Sequence, residues 1–143
     1  MSATPADVAK RWFNEVWNER KASTIAELMH PSAVGHTSAG ETRGPADWKK
    51  RVWDQLTGAF SDIRLVMEDL VAADRTVVIR WRVTMLHTGK ALGIPPSGRP
   101  VSITGLTWMT VREGLIVEGW DGWDATGMLV QCGGATLDPA LSK

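Results

Sequence analysis

The chain has 143 residues, the length of one ordinary domain, which can bury a core without a metal or disulfide to hold it together. Sixteen basic residues balance sixteen acidic ones and no Lys/Arg-rich block stands out, so neither nucleic acid nor an anionic membrane is an expected partner. The single cysteine, Cys132, excludes an internal disulfide and a cysteine-based metal site within one chain, and no tyrosine is present to supply a phenolic hydroxyl.

The N-terminal segment lacks the charged-then-apolar layout of a signal peptide. No apolar run in the chain approaches the roughly 20 residues of a membrane span. We therefore expect a soluble, cytoplasmic protein that forms one domain over residues 1–143, with loose tails at about 1–4 and 134–143.

Three helices are predicted in the first part of the chain. Thr4 can cap the first, whose wide apolar stripe runs from about residue 5 to 19. Ser23 can cap a second helix that stops before Pro31, and a third covers about residues 44–58. Such wide apolar stripes require a large surface to pack on.

After the helices the apolar residues recur at every second position, which is typical of strands. A loop rich in glycine and proline interrupts this pattern at 89–100. Asp124 can cap a short final helix. The predicted strands are residues 63–67, 76–87, 101–112 and 115–123.

Helices followed by an antiparallel meander predict an α+β fold, in which one sheet buries its apolar face against the helices. The strand at 101–111 is apolar on both faces, with Val101, Ile103 and Met109 on one and Leu106 and Trp108 on the other. A second covering layer is therefore expected, and a homodimer through the back of the sheet would supply it.

Three segments carry a resemblance to a known family. They are RWFNEVWN at 11–18 in the first helix, HTG at 87–89 with LGIPPSGR at 92–99, and GLIVEGWDGWD at 114–124. Over almost its whole length the chain resembles the SnoaL-like polyketide cyclases, within the nuclear-transport-factor-2-like superfamily.

The resemblance implies a cone-shaped α+β barrel, in which a curved antiparallel sheet is wrapped by the N-terminal helices around one apolar pocket. It also implies dimerisation through the sheet and an intramolecular aldol ring closure without metal or cofactor. In characterised cyclases of this type an aspartate on the last strand is the general acid/base, and the position that looks equivalent here is Asp121.

The residues around Asp121 suit that role. Strand alternation puts it on one face with Val117, Gly119 and Trp123, which is otherwise apolar. Burial raises the pKa of such a carboxyl group towards the range that acid/base catalysis needs. An ion pair or a helix cap is the alternative role for Asp121, and capping is the favoured role for Asp124.

Two histidines are further candidates for catalysis. His36 lies in an extended segment before a turn and His87 ends the apolar face of its strand, so either could reach the mouth of the pocket. There an imidazole could hydrogen-bond a substrate carbonyl or assist proton transfer. A structural role is an equal alternative for His36 and the favoured one for His87. Three scattered histidines and one cysteine do not have metal-ligand spacing, so we expect no metal and no cofactor.

Aromatic side chains are candidates for binding a small, flat, hydrophobic or aromatic molecule. Phe13 and Trp17 could contribute from the first helix, although core packing is the favoured role for Trp12 and Trp17. The strands offer four more candidates, Trp81, Trp108, Trp120 and Trp123.

The sequence favours a cofactor-independent cyclase that moves a proton at carbon on an aromatic or polyketide-like substrate. A non-catalytic carrier needs only the pocket and stays open as an alternative. Epoxide hydrolysis would need two carboxylates and an arginine around one water, which is a minor alternative. Steroid-type isomerisation in its usual form uses a tyrosine, which the chain lacks.

Overall fold

The computed structural model describes residues 3–136, in which helices pack on one face of a six-stranded sheet. Most of the predicted loose tails, residues 1–2 and 137–143, lie outside the described residues. In the described range, no helix is both long and apolar enough to cross a membrane.

The first helix begins where its cap predicts. Thr4 Oγ1 accepts a hydrogen bond from the Asp7 N–H, and the Asp7 carboxylate accepts one from the Thr4 N–H. Helix α1 (Pro5–Arg11) then continues as a π-helical segment over Trp12–Asn18. π-Helical segments are rare in proteins, and many of those that occur are found at functional sites.

The third predicted helix has the same construction. It consists of α3 (Gly44–Trp48), a π-helical segment (Lys49–Trp53) and α4 (Asp54–Ala59). The Trp53 Nε1–H donates to the carbonyl oxygen of Val16 over 3.0 Å. This bond ties the two π-helical segments together.

Two short helices complete the helical part. Helix α2 (Ser23–Leu28) follows the first helix, and α5 (Ala125–Gln131) follows the last strand. Asp124 Oδ1 accepts a hydrogen bond from the Gly127 N–H over 2.8 Å, which confirms the predicted cap of α5.

The sheet consists of six strands: β1 (Met29–Thr37), β2 (Gly40–Arg43), β3 (Phe60–Ala73), β4 (Thr76–His87), β5 (Pro100–Arg112) and β6 (Leu115–Trp123). Their order in the sheet is β2-β1-β6-β5-β4-β3. Strands β3 to β6 form the predicted antiparallel meander. The sequence did not reveal β2, nor the parallel pairing of β1 with β6.

Strand β4 shows how the sheet divides its two faces. Its odd-numbered residues from Val77 to His87 are buried towards the helices, while Arg80 and Arg82 are exposed on the other face. Both arginines lie near the Glu68 carboxylate, at 3.5 and 3.8 Å. The predicted α+β architecture is confirmed, with an inner sheet face that packs on helices and an outer face that is charged along β4.

Candidate active site between the helices and the sheet

A cavity opens between the helices and the inner face of the sheet. It contains about 640 Å³ of empty space, part of which is open to solvent. Indole rings form much of its wall: Trp12, Trp17 and Trp48 come from the helices, and Trp81 and Trp123 from the strands.

On the helical side, Trp48 contacts both Trp12 and Trp17 edge to face. The ring centroids of Trp12 and Trp48 are 4.9 Å apart, and those of Trp17 and Trp48 are 5.9 Å apart. Trp12 and Trp17 both belong to the first π-helical segment, and Trp48 directly precedes the second. Edge-to-face contacts of this kind stabilise aromatic clusters beyond simple burial, so the helical wall is held in one arrangement.

The polar centre of the cavity lies on the sheet side. Asp121 on β6 is the cross-strand partner of Thr107 on β5. The Thr107 hydroxyl donates to Asp121 Oδ1 over 2.7 Å and accepts from the Trp81 Nε1–H over 2.9 Å. The indole thereby directs the hydroxyl proton towards the carboxylate.

A glycine makes room for this indole. A Cβ atom at Gly105 would lie 2.3 Å from Trp81 Cζ2, closer than real contacts allow. Gly105 is the neighbour of Trp81 across the β4–β5 pair. The line of hydrogen bonds from Trp81 through Thr107 to Asp121 therefore depends on a missing side chain at position 105.

The environment of Asp121 favours its protonated form. Burial raises the pKa of the Asp121 carboxyl group, and the hydrogen bond from Thr107 lowers it in part. Thr107 is the only hydrogen-bond partner of the carboxylate among the described residues, and it uses Oδ1. Oδ2 is therefore available to a ligand. A carboxyl group of raised pKa with one free oxygen can take up and return a proton.

The structure brings five of the sequence-predicted residues together around this cavity. These five residues are Asp121, Trp81, Trp123, Phe13 and Trp17. Their roles in catalysis or binding remain predictions.

Two predicted binding residues do not reach the cavity. Trp108 and Trp120 point to the outer face of the sheet, where they are 50% and 39% exposed. The two residues are cross-strand partners, so their side chains must point to the same face of the sheet. The inner positions of β5 are the odd-numbered ones, which include Thr107 and Met109. We therefore remove Trp108 and Trp120 from the site.

His36 also lies outside the cavity. Its strand β1 runs parallel to β6 with His36 in register with Trp120, so the two side chains share the outer face. Their rings stack with centroids 5.0 Å apart, and His36 Nε2 lies 2.8 Å from Glu118 Oε2. The expectation that His36 reaches the pocket mouth is corrected accordingly.

His87 is buried in the packing beside the cavity. The loop after β4 folds back over it, and the Ser97 N–H donates to His87 Nδ1 over 3.2 Å. The ring of Phe60 lies 5.6 Å away, and Nε2 has no hydrogen-bond partner among the described residues. Neither His36 nor His87 lines the cavity. In residues 3–136, no group of three His, Cys, Asp or Glu side chains could hold a metal ion.

The cavity residues that were not identified as site residues from the sequence include Thr107, Trp12 and Trp48. Thr107 had a detectable signal, because it is the one hydroxyl among the inward, odd-numbered positions of β5. Trp12 was interpreted as core, and it serves both purposes because the cavity adjoins the core. No local pattern marks Trp48, whose position depends on how two distant helices meet.

Comparisons with known proteins agree on the family. A profile described as SnoaL-like polyketide cyclase matches residues 7–132. Similar solved structures include IdmH from Streptomyces antibioticus, a proposed polyketide cyclase, with 31% identity, a TM-score of 0.79 and coverage of 92% of this chain and 99% of that one.

Two further structures share the fold. A proposed SnoaL-like polyketide cyclase from Jannaschia sp. CCS1 has 23% identity and a TM-score of 0.82, covering 93% of each chain. AclR from Streptomyces galilaeus, a proposed hydroxylase, has 25% identity and a TM-score of 0.81, covering 96% of this chain and 90% of that one. A search among curated proteins gives no match.

Proposed function

Because the chain belongs to the SnoaL-like polyketide cyclase family, we propose that it is a cofactor-independent enzyme that closes a ring by an intramolecular aldol-type reaction. The substrate is a small aromatic or polyketide-like β-dicarbonyl compound, and Asp121 is the general acid/base. The observation that carries this proposal is a single carboxyl group of raised pKa in a cavity walled by indole rings.

The chemistry requires one group that moves a proton twice. The Asp121 carboxylate removes a proton from the carbon between two carbonyl groups, and the resulting enolate carbon attacks a further carbonyl carbon of the same molecule. The new alkoxide then takes the proton back from Asp121, so the carboxylate is regenerated. The raised pKa of Asp121 supports both transfers, because the base accepts the proton readily and still returns it.

Thr107 supports this cycle as a positioning residue. Its hydroxyl is committed to Asp121 Oδ1, which leaves Oδ2 for the substrate proton. The Trp81 indole holds the hydroxyl in that direction. Aromatic walls from Trp12, Trp48 and Trp123 suit a flat ring system.

A non-catalytic carrier is the second candidate, favoured by the largely apolar wall of the cavity. Proteins with this fold differ in their proposed functions, since AclR is a proposed hydroxylase. Epoxide hydrolysis has less support, because among the described residues that line the cavity Asp121 is the only carboxylate and no arginine is present.

Turnover of anthraquinone-type keto esters, followed by absorbance, tests the proposal. We expect Asp121→Asn to lose about 10²- to 10⁴-fold in rate, the usual contribution of a positioned acid/base. Asp124→Asn is the matched control, because asparagine also caps a helix, and it is expected to keep its activity. The outcome that would contradict the proposal is that neither wild type nor Asp124→Asn turns over the keto esters, while the tryptophan fluorescence of all three proteins is quenched equally when these compounds bind. The carrier function would then replace the cyclase function.

We also propose that two copies pair through the outer face of the sheet. Leu106 and Trp108 are 54% and 50% exposed there, and Trp108 adjoins Trp120. Contiguous exposed apolar groups of this kind often mark an interface. Leu106→Glu is expected to give a monomer in sedimentation velocity, whereas Lys50→Glu on the helical side leaves a dimer. A monomeric wild type would contradict the pairing.

A further inference from the structure

A second, smaller pocket adjoins the cavity at Asp121. It holds about 400 Å³ of empty space, part of it open to solvent. We call it the back lobe, and the main cavity the front lobe. The back lobe is bounded by Met29, Val34, Gly35, Met109, Ile116 and Gly119.

The two lobes meet at the candidate acid/base. Four residues line both of them: Trp12 and Trp48 on the helical side, and Thr107 and Asp121 on the sheet side. A ligand that extends from one lobe into the other must therefore pass the carboxyl group.

Strand β6 runs alongside both lobes and indicates the direction from one to the other. The inward positions of β6 run from Trp123 in the front lobe through Asp121 to Gly119 in the back lobe. Two residues along a strand span about 7 Å. The back lobe therefore begins within one small substituent of the carboxyl group.

Gly119 keeps the back lobe open. A Cβ atom at this position would have the carbonyl oxygen of Trp108, 3.8 Å away, as its nearest neighbour. A methyl group at this position would thus be accommodated without displacing the surrounding residues. The rest of the wall is apolar, with Thr107 and Asp121 supplying the polar side chains at the junction.

We propose that the back lobe binds a short apolar arm of the substrate, an alkyl or acyl substituent on the far side of the reacting carbon. The flat ring system occupies the front lobe, and the arm extends past Asp121 towards Gly119, which lies about 7 Å further along the strand. The position of the reacting carbon rests on the proposed function. The lobe itself is a specificity site, because its depth limits the length of the arm.

Naphthyl β-diketones with alkyl arms of one to four carbons test this site by calorimetry. Each has a flat ring, an acidic carbon and an arm in the required order. For wild type we expect the affinity to rise about three- to fourfold per methylene while the arm fits. Gly119→Val should bind the shortest member like wild type and gain nothing from longer arms. Gly119→Ala, a smaller change, should lose the gain only for the longest arms.

Gly122→Val is the matched control, since it lies on the same strand with its open side on the outer face. It should keep the dependence on arm length. An affinity that does not depend on arm length in wild type, or a Gly119→Val variant that weakens all ligands equally, would overturn the back-lobe site. These outcomes concern affinity alone, so they are distinguishable from loss of the proposed function, which is measured by turnover of Asp121→Asn.

Discussion

The hydroxyl of Thr107 donates a 2.7 Å hydrogen bond to Asp121 Oδ1 across the β5–β6 pair. Burial and this bond act on the carboxyl group in opposite directions: burial raises its pKa and the bond lowers it. Thr107 therefore sets how far the acid/base departs from an ordinary aspartate.

Replacing Thr107 with valine should move the pH dependence of catalysis. Valine keeps the shape but removes the donor, so the pKa of Asp121 should rise further and the acid limb of kcat/KM should move to higher pH. The variant should also be about 1–3 kcal/mol less stable, because the buried Trp81 indole N–H loses its acceptor.

Thr107→Ser is the control for this experiment. Serine retains the hydroxyl, so the acid limb should stay near its wild-type position. A pH profile of Thr107→Val that coincides with that of wild type would mean that the hydroxyl does not tune Asp121.

The face of Asp121 could be predicted because strand geometry puts it on the same side as Gly119 and Trp123, and the family resemblance singles it out. The same strand geometry correctly put Trp81 and Trp123 on the inner face. Strand β5 is apolar on both faces, so its periodicity does not say which side meets the helices, and the direction of Trp108 stayed ambiguous. Only the pairing of β5 with its neighbours decides it.

The positions of the two candidate histidines, His36 and His87, depend on contacts between distant parts of the chain. The parallel pairing of β1 with β6 joins residues 84 to 87 positions apart in sequence, and it turns His36 outward. No local pattern encodes such a pairing. His87 is on the inner face as predicted, but the wall of the cavity ends at Met85 and the following loop covers the ring.

Asp121 should destabilise the protein at neutral pH. Burial raises its pKa in the folded state above the ordinary value of 3.8, so the carboxyl group contributes stability below that value and loses it as the pH rises through the folded pKa. Asp121→Asn cannot ionise and should be more stable than wild type in urea at pH 7–8. The difference should disappear near pH 3. An Asn variant that is less stable at pH 8 would contradict this sign.

Gly105 should tolerate no side chain. A methyl group there would lie 2.3, 2.7 and 2.8 Å from three atoms of the Trp81 ring, so the indole must move and its bond to Thr107 must break. We expect Gly105→Ala to cost about 1–3 kcal/mol, as overpacking does, and to reduce activity. Gly122→Ala, whose nearest neighbour is 3.9 Å away, should be close to wild type. Equal unfolding curves for the two variants would exclude this steric role.

Glu15 should stabilise the helical wall in a pH-dependent way. Its carboxylate accepts hydrogen bonds from Arg11 Nε over 2.7 Å and from the Thr24 hydroxyl over 2.8 Å, which joins the first π-helical segment to α2. Arg11, with Thr24, lowers the pKa of Glu15 from 4.5 to about 2. Because the folded pKa is lowered, the stabilisation is present above pH 4.5 and is lost as the pH falls towards 2.

Glu15→Gln should therefore unfold more easily at pH 7, by about 1 kcal/mol, since Arg11 is partly exposed and solvent screens the pair. The difference from wild type should narrow between pH 4.5 and 2 in urea denaturation. Glu27→Gln is the control, because Glu27 is more than half exposed and contacts Arg11 at 3.1 Å. If Glu15→Gln is as destabilised at pH 2 as at pH 7, the lost contribution is packing of the side chain and not its charge.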